Sequence, residues 1–217
     1  HIGKQLYGYS LLEDQEWVLN KIYELIDKER PDGVLIAGDV YDKSVPAAEA
    51  VTVFDRFLTK VSQLEPKIPV LIISGNHDSP ERLSFGAEIL SRQQVYVAGS
   101  CPQSENEHLK KVTFQDAWGE TDVWMLPFVK PGYVRKLMEE SRKKTDREDG
   151  AGQGSDGSQE ADREPETERE EIRRDYNEAV KFLLERENID TARRNILISH
   201  QFYTAGGEIP KTSDSET

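Results

Sequence analysis

Three short polar clusters carry the side-chain types of a metal centre: Gly38-Asp39, Gly75-Asn76-His77-Asp78 and Ser199-His200. Carboxylate, amide oxygen and imidazole are oxygen and nitrogen donors of intermediate hardness. They suit manganese, iron or zinc better than an ion that seeks thiolates. A carboxylate such as Asp39 can bridge two ions, and two ions roughly 3.5–4 Å apart can clamp a phosphodiester, activate a water for in-line attack and stabilise the leaving oxygen. His1 joins this set if a strand lies just upstream of it.

Singly, each cluster has a plainer use. Asp39 after Gly38 suits a turn that caps a helix, Gly75–Asp78 suits a tight turn, and a lone His200 suits a core or cap position. Placement argues for chemistry instead. Each cluster follows a continuous apolar run, Val34–Ala37, Val70–Ile73 or Ile196–Ile198, and such runs read as strands buried on both faces. In open α/β sheets the carboxyl edge is where ligands bind, so three strand ends deliver distant residues to one crevice.

The elements around them alternate. Helical spacing appears at Val18, Ile22, Leu25 and Ile26, and again at Ala47, Ala50, Val51, Phe54, Leu58 and Val61. The second helix is expected to open at Ser44 as cap, with Pro46 in its first turn. A third opens after Ser79-Pro80, and a later one carries Ile172, Tyr176, Ala179, Val180, Leu183 and Leu184. Lys111–Phe114 and Asp122–Leu126 add strands, the latter stopping at Pro127 and burying Trp124, while His108 reads as a surface residue. Strand and helix in alternation predict a layered α/β domain.

At 217 residues the chain holds one catalytic domain. Its net charge of −13 argues against gripping nucleic acid by bulk charge, so any phosphate it handles needs a local cation. Residues 139–171 contain thirteen acidic and six basic residues, more than half of that net charge, and read as a solvated, disordered insertion. The single Cys101 permits no internal disulfide and suits a reducing, cytoplasmic setting. The apolar runs are strand-sized, and neither a membrane span nor a leader ahead of His1 is expected.

The blocks Gly38-Asp39, Gly75-Asn76-His77-Asp78 and His200 resemble those of the calcineurin-like metallophosphoesterases. The flanking runs His1-Ile2-Gly3-Lys4, Gly38-Asp39-Val40-Tyr41-Asp42, Asp78-Ser79 with Arg82-Leu83, and His200-Gln201-Phe202 are similar to the SbcD-type nuclease subunits. That resemblance implies an α/β/β/α sandwich with its metal site at the carboxyl ends of the central strands. It implies two divalent ions, with manganese as the expected metal: His1 and Asp39 on one, Asp39, Asn76 and His200 on the other. His77 is implied as a catalytic residue beside the scissile phosphate, and Asp78 as a residue that orients its neighbours. The partners implied are DNA ends, hairpins or other duplexes, and an SbcC-type ATPase within a heteromeric complex built on a homodimer. The family pattern also places an Asp two residues before His1 and a Gly-His-x-His block beyond Thr217, so the chain reads as a piece lacking both ends. A small-molecule or nucleotide phosphodiesterase, and an inactive scaffold, are the alternatives.

Overall fold

The computed structural model describes residues 1–149 and 168–203. A hairpin of β1 (Gln5–Leu6) and β2 (Tyr9–Ser10) leads into α1 (Leu12–Glu29), β3 (Val34–Ala37), α2 (Ala48–Ser62) and β4 (Val70–Ile73). Two short helices, α3 (Pro80–Leu83) and α4 (Ala87–Ser91), precede β5 (Val95–Ala98). The second half runs β6 (Lys110–Asp116), β7 (Gly119–Leu126), α5 (Pro131–Asp149), α6 (Glu168–Glu185) and β8 (Arg194–Ser199).

Strands β3, β4 and β5 form one parallel sheet with β4 in the middle, in the register Val34 to Val70 to Val95. A second sheet, ordered β6-β7-β8, pairs β6 antiparallel and β8 parallel to β7. The two-residue period of a strand assigns each side chain a face. Val70 and Ile72 of β4 pack with Phe54, Phe57 and Val61 of α2 and Ile26 of α1. Leu71 and Ile73, on the opposite face, meet Val123 and Met125 of β7 and Ile198 of β8. Trp124 and Leu126, pointing the other way from β7, pack with Val134 of α5 and with Ala179 and Leu183 of α6. These three cores make four layers, helix, sheet, sheet and helix, which is the α/β/β/α arrangement expected. The four β4 side chains are all fully buried, and each contributes on the order of 1.5–3 kcal/mol.

Several elements depart from the sequence reading. Burial on both faces holds for β4 but not for β3 or β8, where Leu35, Ile196 and Leu197 are exposed. The physical reason is position: among the described residues both are edge strands. Helix α1 is rotated from the face expected, because it meets the core through Leu19, Tyr23 and Ile26, leaving Val18, Ile22 and Leu25 exposed. Helix α2 begins only at Ala48, with Ala47 as an N-cap that makes no side-chain bond. Ser44 and Pro46 belong to the preceding loop, whose Tyr41 is paired with Ile2 and whose Asp42 carbonyl bonds His77, so the chain turns into helix late. Helix α3 opens as expected, with Ser79 Oγ accepting the Arg82 amide at 3.3 Å.

The hairpin of β1 and β2, the strand β5 and the helices α4 and α5 are additions to the expected elements. Of the acidic stretch 139–171, residues 139–149 continue α5 and 168–171 open α6, so helix reaches further into it than composition predicts; residues 150–167 lie outside the described residues. Trp124 is buried, and its indole N–H donates to Asn195 Oδ1 at 2.9 Å. His108 is exposed, as expected, and pairs with the buried Glu187 carboxylate at 3.3 Å, which also accepts the Leu109 amide at 2.9 Å. No helix among the described residues is long and apolar enough to cross a membrane.

Candidate metal centre

The two edge strands and the central one end at a common crevice. After Ala37 the chain passes through Gly38 (φ +90°) and Asp39 (φ +49°), a left-handed pair that turns the carboxylate back over the sheet edge. Glycine is required at Gly38 because a Cβ there would overlap the His200 ring, and at Gly75 because it would overlap Asp39. Backbones and side chains of three strand ends thus pack as closely as atoms allow.

Asp39 is the centre of the arrangement. Its Oδ2 lies 3.5 Å from His1 Nε2 and 3.3 Å from His200 Nε2, and its Oδ1 accepts the His77 amide at 3.0 Å. His200 Nε2 also lies 3.1 Å from Asn76 Oδ1. His200 Nδ1 donates to the Ala37 carbonyl at 2.7 Å, which orients the ring and leaves Nε2 facing the crevice. His77 Nδ1 sits 3.0 Å from the Asp42 carbonyl, so the same logic turns its Nε2 outward. The rings of His1 and His77 meet edge to face, with centroids 4.8 Å apart. All five residues singled out from the sequence, His1, Asp39, Asn76, His77 and His200, line one cavity of about 520 Å³.

The electrostatics follow from this packing. Burial opposes ionisation of Asp39, but hydrogen bonds from His200 and the His77 amide together hold its carboxyl below the usual range. The bond to Asp39 raises His200 above its ordinary value, against the opposing effect of burial.

Two residues outside the donor set hold it in place. Asp78 is buried, and its carboxylate accepts three backbone amides: Val40 at 3.1 Å and Gly75 at 2.8 Å on Oδ2, and Tyr41 at 2.9 Å on Oδ1. It therefore ties the loop after β3 to the loop after β4. Gln15, in the first turn of α1, clasps the His1 segment: its amide donates to the His1 carbonyl at 2.7 Å and accepts from the Gly3 amide at 2.9 Å. Nothing in the local sequence marks Gln15 for this role, because a polar residue in a first helical turn is ordinary. An Asp78→Asn substitution keeps the shape but sets an amide donor against at least one backbone donor. Metal affinity is expected to fall about 10- to 100-fold, measured by calorimetric titration with manganese.

A model of the calcineurin-like phosphoesterases matches residues 8–201. The chain belongs to that family. Among curated relatives, the chain is 32% identical over 219 residues to the D component of nuclease SbcCD from Staphylococcus epidermidis, an alignment covering 100% of the chain and 47% of the relative. It is 38% identical over 128 residues to the protein of the same name from Staphylococcus saprophyticus, covering 59% of the chain and 32% of that relative. The chain thus spans at most about half the length of these relatives.

The donor set suits divalent cations on its own chemistry. One imidazole, one carboxylate and a second imidazole, those of His1, Asp39 and His77, have donor atoms within 4.8 Å of one another. The same Asp39 oxygen that faces His1 also faces His200, whose Nε2 in turn meets Asn76 Oδ1. His77 lies within ligand reach in this grouping, although the family resemblance gives it another task.

Proposed function

We propose that this chain is the catalytic part of a metal-dependent DNA phosphodiesterase, an SbcD-type nuclease subunit that works on DNA ends beside an SbcC-type ATPase. The observation that carries the reading is Asp39, a carboxylate flanked at 3.5 Å and 3.3 Å by two imidazoles delivered from different parts of the chain. The similarity to two components named as a nuclease supports DNA as the phosphodiester substrate.

His1 and Asp39 would hold one ion, and Asp39, Asn76 and His200 the other. Bound there, manganese would supply Lewis acidity at the phosphate and a more acidic water. The chain's own residues do the rest. His77, with its Nδ1–H donated to the Asp42 carbonyl, presents Nε2 to the crevice, where as the imidazolium it can donate a hydrogen bond to a phosphate oxygen or a proton to the leaving oxygen. Asp78 and Gln15 keep the loops in register so that the donors need no rearrangement.

The test is a manganese-dependent assay on linear duplex DNA with the product of the complete reading frame, with and without a chelator. Cleavage of DNA ends that stops on chelation is expected. Hydrolysis of small phosphodiesters with no action on DNA would overturn the substrate assignment.

The pairing of His200 with Asp39 has a consequence for metal uptake. A raised imidazole holds its proton to higher pH, and the cation needs the neutral ring. Manganese binding is therefore expected to release protons and to weaken as pH falls through the raised value, approaching tenfold per pH unit for each proton displaced. Calorimetry in buffers of different ionisation enthalpy counts those protons.

A further inference from the structure

The metal crevice has one wall that its chemistry does not require. Phe128, just past β7, and Phe202, just past β8, line the same cavity as the donor residues. Phe128 is braced edge-on against His200, centroids 6.3 Å apart, and tilted against Tyr176 of α6 at 6.2 Å. Phe202 and Tyr203 are 62% and 60% exposed, so their rings are open to a ligand beside the polar cluster. Tyr203 is pinned by a 2.6 Å hydrogen bond between its hydroxyl and Ser199 Oγ.

A second cavity, of about 320 Å³, continues from the first, sharing Gln201 and Phe202, and runs along α6 past Tyr176 and Lys181 to Tyr203. The Gln201 side-chain nitrogen is shielded from solvent and has no hydrogen-bond partner among the described residues. An exposed aromatic ring and a donor without a partner among the described residues, both adjoining the candidate phosphodiester site, match a nucleobase by its face and its polar edge. Lys181 in the second cavity, by contrast, is already paired with Glu185 at 3.6 Å.

We infer that Phe202, which lines the crevice together with Phe128 and the adjoining cavity together with Tyr176 and Tyr203, forms a stacking subsite for the nucleobase next to the scissile phosphate. This rests on the DNA phosphodiesterase reading above. Base–aromatic stacking tolerates every base, so such a subsite favours DNA over small esters without imposing sequence specificity. A stacked base must leave its duplex neighbours, which suits the frayed terminus of a DNA end.

The test compares the complete reading-frame product with its Phe202→Leu and Phe202→Trp variants. Each is assayed on an intact duplex and on duplexes with an abasic residue on one or the other side of the cleaved phosphate. Leucine keeps apolar bulk but lacks a π face. Phe202→Leu is expected to raise KM for intact DNA about tenfold, the order of one stack, with kcat little changed, and Phe202→Trp to restore it. On the abasic substrate that removes the stacked base, wild type and Phe202→Leu should become equal. An equal loss on intact and abasic DNA, or an unchanged KM, overturns the subsite while leaving the nuclease reading intact. A wild-type protein that cleaves no DNA overturns both.

Discussion

Replacing His77 with alanine is expected to slow DNA cleavage by about 10²–10⁴-fold while leaving manganese binding close to that of the wild type. The reasoning rests on which of its atoms hold structure. The contact with Asp39 comes from the His77 backbone amide, at 3.0 Å, and survives truncation of the side chain. The imidazole itself makes one hydrogen bond, with the Asp42 carbonyl, and an edge contact with the His1 ring. Removing it deletes a proton donor at the crevice without detaching the Asp39 carboxylate. Single-turnover cleavage together with a manganese titration checks both halves. A variant that loses metal in proportion to activity would make His77 a ligand, as its place among the close donor atoms allows.

Asp39→Asn is expected to act through the ions. Asparagine tolerates the left-handed backbone at φ +49° and can still accept the His77 amide, so the fold should persist. Its amide nitrogen, however, would face both His1 and His200, where an anionic oxygen now stands. Affinity for manganese should fall by at least about 100-fold, above the range for changes outside the ligand set, and DNA cleavage should fall with it. A second readout separates this from a folding defect. Without the carboxylate the raised His200 should return toward its ordinary value, which proton NMR of the imidazole resonances follows directly.

With these outcomes the two variants would divide the site into a part that holds charge and a part that moves a proton. Asp78→Asn should resemble a milder Asp39→Asn, since it loosens the loops that carry both Asp39 and His77. This ordering, Asp39 above Asp78 for metal and His77 apart from both, would not arise if the crevice were only a well-packed turn cluster.

Much of this centre was readable from residue types in order. Gly38-Asp39 and Gly75–Asp78 follow apolar runs, and a strand end is a local property that composition reveals. The central strand β4, buried on both faces, was equally plain, because Val70–Ile73 has no polar residue to place outward. The helix face of α1 was not, since its apolar residues nearly encircle it and only the neighbour decides which stripe is covered.

The sequence by itself determined the donors and the local turns that present them, because a glycine at positive φ and a carboxylate beside it are constraints within a few residues. Only the tertiary structure decided that His200 meets Ala37 and Asn76 across 163 and 124 positions, that Gln15 clasps His1, that Asp78 joins two loops, and that Phe128 and Phe202 share a wall. Those contacts depend on how two sheets stack and where their strands end. Stacking is set by the summed burial of many apolar side chains, so no short stretch of the chain encodes it.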